Sequence, residues 1–197
     1  MKKVEHRFFE KYLDNDLQKL TEYLDNKYNE MKETEWINKD RFYDPGNHWN
    51  TFNVFNFDSK EISDLKEEIK KMTIEACSYY DINFEEQKYY IHGWFNYYPT
   101  KVNESVEPEN LTYHDHGDLP HWLHGYYCVN AEPSTTYYKI NDKRFDNINK
   151  NNRAVLSING FPHSPGPWQE NTNRITIGYN LRPAKDLHPS DAQFILL

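Results

Sequence analysis

The chain of 197 residues has only two cysteines, Cys77 and Cys128, and neither stands in a Cys-x-x-Cys pair or a zinc-type spacing. Thiolate metal sites are thereby set aside, and both residues are expected to pack in the interior of a protein kept in a reducing compartment. Long apolar runs are also missing. Nowhere do 18 apolar residues follow one another, and the opening stretch MKKVEHRFFEKYLDND has no uninterrupted apolar segment. The expectation is a soluble, cytoplasmic protein with no membrane partner. Positive charge is scarce as well: the formal net charge is -8, and no cluster of Lys and Arg alternates with aromatics. Nucleic acid is therefore disfavoured as a partner, because phosphate neutralisation needs such a surface.

Ten prolines and 16% aromatic residues argue for a folded chain despite a mean hydropathy of -1.02. The polarity comes largely from Asn, Lys and Tyr, which coat surfaces and fill half-buried strands. The length suits one domain, with residues 1–86 as a helical support region and 87–197 as a β-rich core. Leu13, Leu17, Leu20 and Leu24 form one stripe and predict a helix running to about Met31. Ile62, Leu65, Ile69, Met72 and Ala76 predict a second helix over 60–79, with Asp58 and Glu61 as its capping box. From Gln87 onward, short aromatic and β-branched runs predict strands over 88–98, 111–116, 123–129, 135–140, 153–158 and 174–181. The polar segment 141–152 reads as a loop. Short strands at this spacing suggest a sandwich or barrel with helices packed outside.

Chemistry concentrates in residues 113–125, YHDHGDLPHWLHG, which hold four histidines and two aspartates. On an extended strand, His116 and Asp118 point to one side and could converge on a single ion. His114 has the same parity and is the rival ligand. A further histidine, His163, follows the turn Asn159-Gly160-Phe161-Pro162. Two histidines and a carboxylate can occupy one face of an iron(II) ion and leave other positions open. Arg174 comes eleven residues later, with Thr176 on its face of the strand. A planar guanidinium of this kind is suited to gripping the carboxylate of a small dicarboxylic acid. Earlier in the chain, Asn96 and Tyr98 share a strand face within WFNYYP.

Together these segments resemble the iron(II)- and 2-oxoglutarate-dependent dioxygenases, particularly the phage and bacterial members related to prolyl hydroxylases. The resemblance covers about residues 88–183. It implies an α+β protein with a double-stranded β-helix core, the jelly roll shared with cupins, and N-terminal helices outside it. It also implies His116, Asp118 and His163 as ligands of Fe(II), and Arg174 with Thr176 as the anchor of 2-oxoglutarate. Asn96 and Tyr98 would be further contacts to this co-substrate. The implied activity is hydroxylation of a small molecule, an amino acid or a peptidyl side chain, consuming O2 and releasing succinate and CO2. Asn180 stands where nucleobase demethylases of this group carry a second arginine, and the 99–111 loop is acidic, so that subclass fits poorly. Two other readings remain open. One is a cupin-like barrel that binds a metal or small ligand without turnover, although Arg174 and Thr176 would then have no purpose. The other is a metallo-hydrolase, suggested by His114-x-His116-x-Asp118 but opposed by Leu119 and by the lack of alternating strands and helices. His121, Trp122 and Trp168 are candidates either for a substrate lip or for plain packing.

Overall fold

The computed structural model describes residues 8–33, 52–98, 112–117, 119–158, 160–168 and 170–197. Helix α1 (Leu17–Glu33) starts after the expected position, since Asp16 accepts a hydrogen bond from the Lys19 amide (3.2 Å) and so caps it. Leu13 remains buried in the preceding link, and Leu20, Leu24, Tyr28 and Met31 carry the buried stripe. Helix α2 (Lys60–Tyr79) is capped by Ser59, whose hydroxyl accepts from the Ile62 amide, instead of by Asp58. It buries Ile62, Leu65, Ile69, Met72 and Ala76 as its periodicity requires. Cys77 lies on the same helix. Burial pushes the thiols of both Cys77 and Cys128 up to about 11, so neither is reactive. A short α3 (Phe84–Gln87) leads into the sheets.

Two antiparallel sheets follow. The larger one has the order β1-β6-β3-β8-β2-β9, from β1 (Phe8–Tyr12), β2 (Tyr89–Tyr98), β3 (Leu123–Asn130), β6 (Arg153–Ser157), β8 (Arg174–Pro183) and β9 (Ile195–Leu196). The smaller has the order β5-β4-β7, from β4 (Thr135–Ile140), β5 (Lys143–Ile148) and β7 (His163–Pro165). Four of these strands, β1, β5, β7 and β9, lie outside the sequence expectation, and one expected strand is missing among the described residues. β1 replaces the start of the presumed helical region and pairs with β6, from Phe8 opposite Ser157 to Tyr12 opposite Arg153. β5 occupies the presumed 141–152 loop, in a hairpin whose turn residues Asn141 and Asp142 both have positive φ, 50° and 59°. The expected strand over 111–116 is absent among the described residues 112–117, where only His114 forms a bridge, to His163.

Strand alternation then separates two interiors. Ile91, Phe95, Leu123, Tyr127, Ile175, Ile177 and Leu181 face the helices and join the main core. Tyr126, Cys128 and Val155 face the other way and meet Tyr138 of the smaller sheet in a second apolar cluster. Between the sheets, beside this cluster, polar side chains gather. No helix among the described residues is long and apolar enough to cross a membrane.

Candidate metal centre

His114, His116, His124 and His163 meet at the mouth between the two sheets and line one cavity with Asn96, Arg174 and Thr176. Their convergence depends on two separate devices. The bridge between His114 and His163 ties the segment before β3 to β7 by hydrogen bonds in both directions (3.1 and 2.8 Å). Past His116 the chain turns at Gly117, whose φ of +87° suits glycine. A Cβ on Gly160 would lie 2.8 Å from the Gly117 carbonyl oxygen and from the His116 amide nitrogen, so only glycine allows the two loops to touch there. No strand runs through Gly117, whereas the expectation that His116 and Asp118 share a side rests on one. Asp118 itself lies outside the described residues.

The imidazoles are packed as a stack. His116 lies parallel to His124 (3.9 Å between centroids, 7° between planes), with the Trp94 ring at 5.3 Å. His124 Nδ1 pairs with Asn180 Oδ1 at 2.9 Å, so the amide position noted in the sequence holds a neighbour of the site. His163 Nδ1 contacts the Phe161 carbonyl at 2.8 Å. A carbonyl can only accept, so Nδ1 bears the proton and Nε2 presents its lone pair. Burial, reinforced by the neighbouring imidazoles, lowers the pKa of His116 to about 2 and that of His163 to about 4, and holds His124 well below the ordinary value. All three are neutral near pH 7. His116 Nε2 is buried with no hydrogen-bond partner among the described residues. Such an orphan is rare in a folded protein. Neutral imidazole nitrogens in this arrangement suit a divalent metal as ligands.

Arg174 supplies the opposite charge requirement. It is only 3% exposed, donates from Nε to Ser134 Oγ (3.0 Å) and lies over the Tyr98 ring at 5.3 Å. Among the described residues it makes no ion pair, whereas Arg153 is paired with Glu10 (3.1 Å) and Arg182 with Asp191 (2.8 Å). A buried guanidinium without a counter-charge is costly, and an anion entering the cavity would offset that cost. Thr176 lies beside it and accepts from Asn96 Nδ2 at 3.3 Å. Asn96, Arg174 and Thr176 thus line the cavity, and the Tyr98 ring packs against the Arg174 guanidinium.

Sequence reasoning missed His124, Tyr126, Ser134 and Thr136. The first two could have been found by parity, since on β3 they alternate with the helix-facing Gly125 and Tyr127. Ser134 became visible only as the acceptor of the Arg174 Nε hydrogen bond, and Thr136 only through its place in the same cavity. The loop aromatics pack instead of forming a lip. Trp122 lies under the Arg182 guanidinium (4.0 Å) and donates to Asp186 (3.3 Å), and Trp168 is buried, donating to the Thr172 carbonyl (2.6 Å). The His121 carbonyl accepts from the Tyr89 hydroxyl (2.7 Å).

No family model matches the chain, and no curated protein matches it in sequence. Solved structures do match in fold. A prolyl-4-hydroxylase from Pseudomonas putida aligns with a TM-score of 0.57 at 12% identity, covering 91% of this chain and 89% of that one. AviO1 from Streptomyces viridochromogenes aligns at 0.58 and 12% identity, covering 92% and 91%. The non-haem α-ketoglutarate-dependent carbocyclase SnoK from nogalamycin biosynthesis aligns at 0.58 and 10% identity, covering 91% and 81%. The chain thus shares its fold with non-haem, α-ketoglutarate-dependent oxygenases. At these identities the likeness is one of fold alone.

Proposed function

We propose that this protein is an Fe(II)- and 2-oxoglutarate-dependent dioxygenase built on a double-stranded β-helix. The observation that carries the reading is the buried Arg174, without an ion pair among the described residues, in the same cavity as the His116 Nε2 that lacks a hydrogen-bond partner among them and the neighbouring His163. One end of that cavity suits a divalent metal and the other a carboxylate. A molecule that chelates through one end and carries an anion at the other satisfies both. His116, Asp118 and His163 are assigned as the iron ligands, with Asp118 resting on the sequence resemblance. When bound, iron(II) with dioxygen supplies the oxidising power that splits 2-oxoglutarate to succinate and carbon dioxide and hydroxylates the substrate.

The side chains have positional tasks. Arg174, held by Ser134 and Tyr98, fixes the far carboxylate, while Thr176 and Asn96 offer a hydroxyl and an amide beside it. His124 stacks on the His116 ring and Trp94 packs beside both, which restrains the direction of the His116 Nε2. The substrate is assigned to small molecules, amino acids or peptidyl side chains, a range that includes the prolyl group named for the Pseudomonas putida neighbour. The test is anaerobic titration with iron(II) and then 2-oxoglutarate, watched for a metal-to-ligand charge-transfer band, followed by a substrate screen for succinate release. A protein that binds both but forms no succinate with any of a broad panel would be a cupin-like binding barrel instead.

A further inference from the structure

Arg174 is held by a neutral group. Its Nε donates to a hydroxyl, Ser134 Oγ, at 3.0 Å. A carboxylate in that place would neutralise the guanidinium and compete with an incoming anion, whereas a hydroxyl fixes the group and leaves its charge for the ligand. Ser134 Oγ is itself fully used. It donates to the Ala131 carbonyl (2.5 Å) and accepts from both Arg174 and Asn149 Nδ2 (2.9 Å), which accounts for its one proton and two lone pairs. Asn149 is 0% exposed and is clamped in turn: its Oδ1 accepts from the Thr136 hydroxyl (3.2 Å), and its backbone N–H donates to the Ser134 carbonyl (2.9 Å). Asn151 adds a second tie, with its Oδ1 accepting from the backbone amides of Ala131 (2.8 Å) and Glu132 (3.1 Å). The tied segments, 131–134 between β3 and β4 and 149–152 between β5 and β6, are the links by which the chain crosses from one sheet to the other. The joint between the sheets thus backs the anchor.

We propose that Asn149 is a positioning residue for Arg174, acting through Ser134, and that this backing sets the chain length of the keto acid the cavity accepts. The proposal rests on the function proposed above and deepens it. Without the Asn149 amide, the Ser134 hydroxyl can turn among its staggered rotamers, and the Arg174 Nε loses a fixed acceptor. A guanidinium that shifts still attracts a carboxylate, but it no longer requires that carboxylate at one place. An anchor held still discriminates against a ligand one methylene too short or too long; a loose one follows the ligand.

The test is anaerobic calorimetry on the iron(II)-loaded full chain with 2-oxoglutarate, with oxaloacetate, one carbon shorter, and with 2-oxoadipate, one carbon longer. The parent protein is expected to prefer 2-oxoglutarate to both. Asn149→Ala is expected to weaken 2-oxoglutarate roughly tenfold and to narrow both preferences, because the other two acids lose less. In the Arg174→Ala background, Asn149→Ala is expected to weaken 2-oxoglutarate no further, since it acts through the group already removed. Ser134→Ala, which deletes the shared oxygen, carries the same readouts should Asn149→Ala not fold. A parent that binds the three acids alike, preferences unchanged by the substitution, or the same loss repeated in the Arg174→Ala background overturns the proposal and leaves Asn149 a structural residue only. Failure of the underlying reading looks different: the parent binds none of the three acids, or Arg174→Ala binds 2-oxoglutarate as tightly as the parent.

Discussion

Arg174 is the residue whose chemistry says most about the ligand. A guanidinium in water interacts weakly with a carboxylate, but one already desolvated on a sheet face gains much more from the same contact, because the cost of burial has been met in folding. Arg174→Ala is therefore expected to keep iron(II) and to weaken 2-oxoglutarate by roughly 2–4 kcal/mol, measured by calorimetry under anaerobic conditions. Arg174→Lys should recover only part of this, since an ammonium does not reproduce the fork. Arg182→Ala and Arg153→Ala serve as controls, because both guanidiniums are already paired with carboxylates. Either control losing more 2-oxoglutarate affinity than Arg174→Ala would place the anchor elsewhere. His116→Ala and His163→Ala should each abolish iron retention, read by metal analysis of the purified variants.

Among the elements, β2 and β8 build the wall behind the metal ligands through one cross-strand pair. Trp94 stands opposite Gly178, and a Cβ at that glycine would meet the indole at 2.8 Å. The missing side chain lets the Trp94 ring lie flat toward His116. Gly178→Ala should therefore cost about 1–3 kcal/mol in denaturant unfolding, the usual range for overpacking, and weaken metal binding as well. A variant of parent stability and metal affinity would show that the wall yields freely. The β4–β5 hairpin offers the opposite case. Asp142 holds a φ of 59° at a turn position, and its ion pair with Lys139 is long (3.7 Å) and solvent-exposed. Such a pair contributes little. Asp142→Gly should therefore stabilise the protein by up to about 1 kcal/mol through relief of the left-handed backbone, with 2-oxoglutarate binding unchanged.

For the molecule as a whole, the histidine cluster couples metal-free stability to pH. The folded pKa values of His116, His124 and His163 are all depressed, so the unfolded chain binds more protons once pH falls below about 6.5. The contribution of neutral burial is complete above that value and is lost as pH falls, down to about 4 for His163. Each group costs up to roughly 1.4 kcal/mol per pH unit within its window. Urea unfolding with chelator present should accordingly show a loss of roughly 2–4 kcal/mol between pH 6.5 and 5.5, a range above most carboxylate titrations. His163→Asn should flatten the profile. A midpoint that does not move over that interval would mean the cluster admits water or protons in the folded state.

The sequence by itself determined the elements whose information is local. The stripe from Ile62 to Ala76 is sufficient for α2, and alternation along 89–98 and 174–183 put Asn96, Arg174 and Thr176 on one face of their strands. The sequence singled out Arg174 through its place after His163, and the fold buries it in the wall of the cavity. Tertiary structure alone decided the rest. The segment FFEKY became β1 because β6 had an open edge from Arg153 to Ser157, and its half-exposed residues carry no pattern that demands a strand. His114 came to face His163 through backbone hydrogen bonds, which depend little on side-chain identity, and His124 reached His116 through the register of β3 against β8. Periodicity is written in side chains within one segment. Pairing between distant segments is made largely by backbone groups common to nearly every residue, so only the fold assigns the partners.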